Sequence, residues 1–137
     1  VKLGAVAATV ELGYARKAGI PEERIVIFPD NISAVAGVKS GRIDALATTS
    51  ITVAKLAEKE PAVEKAVPFT DPVIDGKSVR GYGALAVRKG DRKLLEVLNA
   101  HLREVIGSDA HRKAVRQYGF TEENLPGNVD ASSLCGD

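Results

Sequence analysis

The chain has 137 residues, 45% of them apolar and 27% charged, which is ordinary for one globular domain with a single core. Its 19 basic and 18 acidic residues leave a net charge of +1, so no basic footprint for nucleic acid is present, and 4% aromatics without Trp give little material for a base-stacking site. No apolar run approaches the length of a membrane span, and the lone Cys135 can form no internal disulfide and has no metal-ligand spacing around it.

The chain opens on Val1-Lys2-Leu3-Gly4 as though inside a strand, and reads as a processed or cut piece of something longer. Lys2 to Ala7 predicts a buried strand ending in small residues. Ala8-Thr9-Val10-Glu11 leads into a helix: Thr9 suits an N-cap, and Glu11 suits the positive end of the helix dipole. The helix runs to about Ala18, with Leu12, Ala15 and Ala18 on one stripe, and Gly19 closes it. After the turn Pro21-Glu22-Glu23, Arg24 to Phe28 predicts a second strand centred on Ile25, Val26 and Ile27. Asp30 or Asn31 caps a helix through Ser40, with Ile32, Val35, Ala36 and Val38 as its apolar positions.

Gly41 stands where that helix must stop, and Ile43 to Ala47 predicts a third strand, with Asp44 as the one charge in an apolar run. Thr48, Thr49 and Ser50 follow, and behind them Val53, Leu56 and Ala57 fall at helical spacing to about Glu60. A strand therefore runs into a hydroxyl-rich turn that opens a helix. In open α/β sheets small ligands sit at such carboxyl-end junctions. Plain N-capping by Thr49 or Ser50 explains the same residues, and the two roles can coexist. The order strand–helix, three times over with short connections, calls for parallel strands, right-handed crossovers and helices on both faces.

Beyond Glu60 the texture changes. Pro61, Pro68 and Pro72 predict short extended pieces and turns, with Asp71 and Asp75 bracketing a Pro-rich turn. Gly81 to Val87 predicts a strand. Asp91 caps a long amphipathic helix whose apolar stripe is Leu94, Leu95, Leu98, Leu102, Val105 and Ile106. Gly107 ends it, Ser108 or Asp109 caps a last helix to about Tyr118, and Gly119 closes that one. Thr121 to Asp137 is expected to be irregular.

Groups for catalysis are not assembled by this pattern. His101 and His111 have no second ligand at i+3 or i+4 and read as surface histidines. Ser33, Ser40 and Ser50 lack the G-x-S-x-G turn of a hydrolase nucleophile. Gly81-Tyr82-Gly83 lacks the third glycine of a dinucleotide loop and precedes a strand. No catalytic residue, metal or cofactor is expected. What remains is two helix starts, Ala8-Thr9-Val10 and Thr48-Thr49-Ser50, whose orphan N–H groups and dipole suit a carboxylate.

Taken together, these segments resemble the periplasmic solute-binding proteins of ABC importers, polar amino-acid family. Gly41-Arg42-Ile43-Asp44-Ala45 is similar to that family's G-R-x-D-A segment, and Lys2 to Thr9 resembles its strand into a G-T or G-S turn. Gly83 to Asp91 resembles its strand returning through the hinge, and Leu94 to Phe120 its last two helices, down to the Tyr118-Gly119-Phe120 ending. The resemblance implies an α/β fold: a type II periplasmic-binding-protein lobe, three-layer αβα with a mainly parallel sheet, plus a C-terminal helical pair. Residues 1–80 would be the second ligand-binding lobe, and residues 81–137 a hinge-crossing strand and helices of a first lobe whose remainder is absent.

It implies a binding site at Ala8, Thr9, Val10, Thr48 and Thr49, with Thr9 and Val10 on a ligand carboxylate. Thr49 stands where amino-acid binders place an Asp for the α-ammonium, so a delocalised or alkylated cation fits better. The segments Phe69 to Gly76 and Glu123 to Gly127 resemble the ectoine/hydroxyectoine-binding branch. The implied partners are a small zwitterionic solute and a membrane permease, not nucleic acid. The implied place is the periplasm, or an extracytoplasmic membrane-tethered one. The exposed stripe of the long C-terminal helix implies cover by another copy or a swapped element. A periplasmic dehydratase-like enzyme, a sensory ligand-binding domain and a DNA-linked effector domain share the architecture. The first would need an acid or histidine in the cleft, and only Glu11 lies near either junction.

Overall fold

A computed structural model describes residues 1–129, 133 and 134. The first strand, β1 (Leu3–Val6), lies in the middle of a three-stranded sheet and pairs on both sides. It leads into helix α1 (Val10–Lys17), a short 3-10 turn (Glu22–Arg24) and strand β2 (Ile25–Phe28). Helix α2 (Asn31–Lys39) then carries the chain to β3 (Ala45–Ala47), and α3 (Ser50–Lys59) follows. The order across the sheet is β2-β1-β3, and both ladders are parallel. The register sets Ala5 opposite Ile27 on one side and Ala47 on the other.

Alternation along the strands sends residues to two separate cores. On one face Ala5 and Ile25 meet Leu12 and Ala15 of α1, with Leu3 and Ile20 at the margin. On the other, Phe28 meets Ala34 of α2 and Ile43, with Val26, Val38 and Leu46 packed around them. One helix thus covers each face of the sheet. Ile43 is 1% exposed although it precedes β3; burying such a side chain contributes roughly 1.5–3 kcal/mol.

Two apolar stripes differ from expectation. Ile32 is 82% exposed and Ala36 also faces outward, whereas Ala34, Val35 and Gly37 are the buried residues of α2. The Phe28 ring comes so close to the helix backbone at Gly37 that no side chain fits there. In α1, Ala18 lies outside the core that Leu12 and Ala15 enter, because the helix ends at Lys17 and Gly19 turns the chain at φ +80°.

After α3 the Pro-rich stretch yields one small hairpin, β4 (Val73–Ile74) against β5 (Lys77–Ser78). Its turn residues Asp75 and Gly76 both have positive φ, 53° and 75°, which is the primed geometry that D-G sequences favour. The chain divides into two compact units at this point, Val1–Arg80 and Gly81–Asp137.

In the second unit no strand forms over residues 81–87, contrary to expectation. A run of strand-like composition needs a ladder partner, and no described residue supplies one. Helix α4 (Arg92–Val105) begins at Asp91, whose carboxylate makes no cap hydrogen bond. No residue of α4 is fully buried, so its apolar stripe stays half-open. Helix α5 (Asp109–Arg116) is capped by Ser108, whose hydroxyl accepts from the His111 N–H at 3.2 Å. The following segment is not wholly irregular: Glu122–Asn124 forms a 3-10 turn closed by a reciprocal Thr121–Asn124 capping box.

Candidate functional site

Both candidate junctions leave the same edge of the sheet. Because β1 and β3 are parallel neighbours with Ala5 opposite Ala47, the turn through Ala8, Thr9 and Val10 and the turn through Thr48 and Thr49 start side by side at their carboxyl ends. The chain leaves β1 toward β2 on one flank and returns by α2 to β3 on the other. The strand order therefore reverses between β1 and β3, the topological switch point of an open α/β sheet.

The first turn is built around Ala8, which has φ +59° without being glycine. That left-handed step costs an ordinary residue about 1–2 kcal/mol. It folds the chain back so that the Thr9 hydroxyl donates to the Val6 carbonyl at 2.9 Å, with the Thr9 N–H over the same oxygen at 3.4 Å. Thr9 occupies the N-cap position, but its side chain does not cap α1, contrary to expectation. Its hydrogen is spent on Val6, and what Thr9 offers outward is oxygen lone pairs. Ala8 and Val10 are exposed, Val10 by 62%, and Glu11 lies in the first turn of the helix.

The second turn has the same character. Thr48 is half-buried and Thr49 exposed at the N-cap of α3. The Thr49 side chain makes no cap bond either; its Oγ1 lies 2.8 Å from Oγ1 of Thr52. Ser50 is the first residue of the helix. At the far flank, by contrast, Asp30 caps α2, accepting from the Ser33 N–H at 2.8 Å and the Ser33 hydroxyl at 2.6 Å. Asp30 rather than Asn31 is thus the cap. Both helix starts at the switch point lack a side-chain cap, and their first-turn amides remain for water or a ligand.

Ala8, Thr9, Val10, Thr48 and Thr49 carry no titratable group. Such a site can hold a polar molecule by amides, dipoles and hydroxyl oxygens, and has nothing at those positions to move a proton. The shifted carboxyls lie elsewhere, in exposed pairs. Ser33 holds the Asp30 carboxyl below its usual range through its hydroxyl and its N–H. Arg16 does the same to Glu22, and Lys55 to Glu58, by hydrogen bonds. Among the described residues no cluster of His, Cys, Asp and Glu could hold a metal. Two surface hollows also lie elsewhere, one between Tyr14, Lys17 and the β4–β5 hairpin, the other around Arg88 and Lys89 at the start of α4.

Three residues have roles that their sequence context did not announce. Asp44 accepts the Lys2 N–H at 2.6 Å and returns its own N–H to the Lys2 carbonyl at 2.9 Å. His111 is not a plain surface histidine: it is half-buried, and its Nδ1 accepts the Gly107 N–H at 3.2 Å. Arg112 binds the Gly107 carbonyl and reaches Glu122 at 2.8 Å, which holds its guanidinium pKa above the ordinary value. His101 is exposed, as expected, and Cys135 lies outside the described residues.

No family model matches the chain, and no solved structure matches it significantly. Among curated proteins it is 35% identical over 136 residues to a probable amino-acid ABC transporter periplasmic-binding protein, y4tE, of Sinorhizobium fredii. The matched region takes in 98% of this chain and 45% of that protein, so the chain spans less than half the length of its relative.

Proposed function

We propose that this chain is part of the solute-binding component of an ABC importer, and that it takes a small zwitterionic solute at the Ala8–Val10 and Thr48–Thr49 turns. The observation that carries the reading is the pair of helix starts, neither capped by a side chain, side by side at the switch point. The 35% identity to a periplasmic-binding protein agrees with it. The solute carboxylate would lie on the first-turn amides of α1, where the dipole favours an anion. Thr49 would face the cationic end without a counter-charge. That suits a cation whose charge is delocalised, and so ectoine or hydroxyectoine ahead of an ordinary amino acid.

On this reading Val1–Arg80 is the second ligand-binding lobe. Residues from Gly81 onward belong to the crossover and to helices of the first lobe. Capture would proceed by closure of two lobes about a hinge, with delivery to a membrane permease on the extracytoplasmic side. The half-open stripe of α4 would be covered by another copy or a swapped element.

Calorimetric titration tests this with ectoine, hydroxyectoine, proline and glutamine, on this chain and on a longer chain carrying a first lobe. The expected result is tight binding of the ectoines by the longer chain and weak binding by this one. Preference for glutamine would overturn the ligand assignment, and binding of none of the four would overturn the function.

A further inference from the structure

We propose that Asp44 is a positioning residue: by clamping Lys2 it holds β3 in the register that sets Thr48 and Thr49 beside the Ala8–Val10 turn.

An aspartate is poorly suited to a strand edge, yet this one stands between the buried Ile43 and the first residue of β3. Its carboxylate accepts the Lys2 N–H at 2.6 Å, and its own N–H donates to the Lys2 carbonyl at 2.9 Å. Both backbone polar groups of one residue are thereby tied to one neighbour, 42 positions away. The Ala45 N–H reaches the same Lys2 carbonyl at 3.4 Å, so the clamp runs straight into the ladder.

The strand needs this help. It is three residues long, pairs among the described residues with β1 alone, and presents Ala45, Leu46 and Ala47, of which none is fully buried. A slip of one residue would turn Leu46 away from the Phe28 and Ile43 core and carry the Thr48–Thr49 turn along the sheet edge. Ile43 resists the slip by burial, and Asp44 resists it by direction, because a carboxylate engaged with one N–H fixes the pairing as well as the distance. β2 needs no such device, since both Ile25 and Phe28 are buried. The consequence for ligand rests on the site reading given above; the clamp itself does not.

The test uses the full chain with Asp44→Ala, Asp44→Asn and Lys2→Pro. Amide hydrogen exchange is followed at residues 25–28 and 45–47, together with calorimetric titration of ectoine and glutamine. Asp44→Ala is expected to speed exchange at 45–47 about tenfold, the loss of one hydrogen bond to a charged group, while 25–28 keep their protection. Lys2→Pro, which deletes the donor from the other strand, should do the same, and it serves alone if Asp44→Ala does not fold. Asp44→Asn keeps an acceptor for the Lys2 N–H and should stay close to the parent. The dissociation constant for whichever probe the parent binds should rise in step with exchange at 45–47. Equal protection of both strands in Asp44→Ala, or equal damage from Asp44→Asn, would overturn the clamp. If the parent binds neither probe, as the weak binding expected of this chain alone allows, the exchange arm by itself decides the role of Asp44.

Discussion

The Phe28 ring lies against bare backbone at Gly37: a Cβ built on Gly37 would stand 2.6 Å from the ring Cζ. Gly37→Ala therefore sets two effects in opposition. Alanine favours the helix by about 1 kcal/mol over glycine, but the new methyl must displace a ring that is itself walled in, at about 1–3 kcal/mol. The clash wins, and denaturant titration should show a net loss of up to about 2 kcal/mol. Gly13 in α1 is the control, since nothing lies within 4 Å of a Cβ placed there. Gly13→Ala should gain about 0.5–1 kcal/mol.

Ala8 carries its left-handed φ of +59° without a glycine's freedom. Ala8→Gly relieves that strain, about 1–2 kcal/mol, and returns part of it as chain entropy in the unfolded state. A net gain of about 0.5–1 kcal/mol is expected by thermal or chemical unfolding. A net loss would mean that the methyl group makes contacts that outweigh the strain.

The Asp30 cap gives a signed pH dependence. Its folded pKa lies below the ordinary carboxylate value because of the two Ser33 hydrogen bonds. The stability it supplies is therefore fully present above the unfolded pKa of about 3.9. It is lost as pH falls through the lower, folded value. Asp30→Ala should lower Tm at pH 7. Asp30→Asn should keep most of the pH 7 stability, because its side-chain oxygen still accepts from Ser33, while removing this part of the acid sensitivity.

If Thr49 faces a ligand cation, giving it a carboxylate changes the preference. Thr49→Asp should tighten binding of glutamine relative to ectoine by about tenfold, the worth of one hydrogen bond to a charged group. Competition calorimetry reads the ratio directly. An unchanged ratio would remove Thr49 from the ligand's surroundings.

The α4 stripe provides the last test. Leu95 and Val105 are both exposed along it. If another copy covers this face, the parent chain should sediment as more than a monomer, and Leu95→Glu with Val105→Glu should return it to monomer.

How far the residues announce this architecture depends on what each signal measures. The three strand–helix repeats of the first unit are legible because short apolar runs alternate with helical spacing, and Gly19 and Gly41 stop the helices at φ +80° and +71°. The phase of α2 is legible only in part: Val35 is buried and Val38 packs against the core as expected, while Ile32 and Ala36 face outward. Hydrophobicity points to Ile32, but beside the Phe28 ring the helix needs a residue without a side chain, so Gly37 lies inward together with Ala34. The Asp75-Gly76 dipeptide was a readable hairpin signal, obscured by the prolines around it. For residues 81–87 composition suggests a strand, but a strand also needs a neighbour. The candidate turns could be located from their hydroxyls and small residues. The direction of those hydroxyls could not, because Thr9 answers to the Val6 carbonyl and Thr49 to Thr52. The clamp from Asp44 to Lys2 is hidden for a simpler reason: nothing local links residues 42 positions apart.

The central place of β1 also bears on how the molecule is made. The strand that both neighbours depend on is synthesised before either of them. Roughly 40 residues must follow Val6 before β3 is complete, which at ~5–20 residues per second is a wait of about 2–8 s on the ribosome. Through that interval Leu3 and Val6 have no finished sheet to enter, and the edge of β1 that β3 will take stays unpaired. The sheet closes last at its shortest and most weakly packed strand. Any factor that guards the emerging chain would be needed most before Ala47 leaves the tunnel.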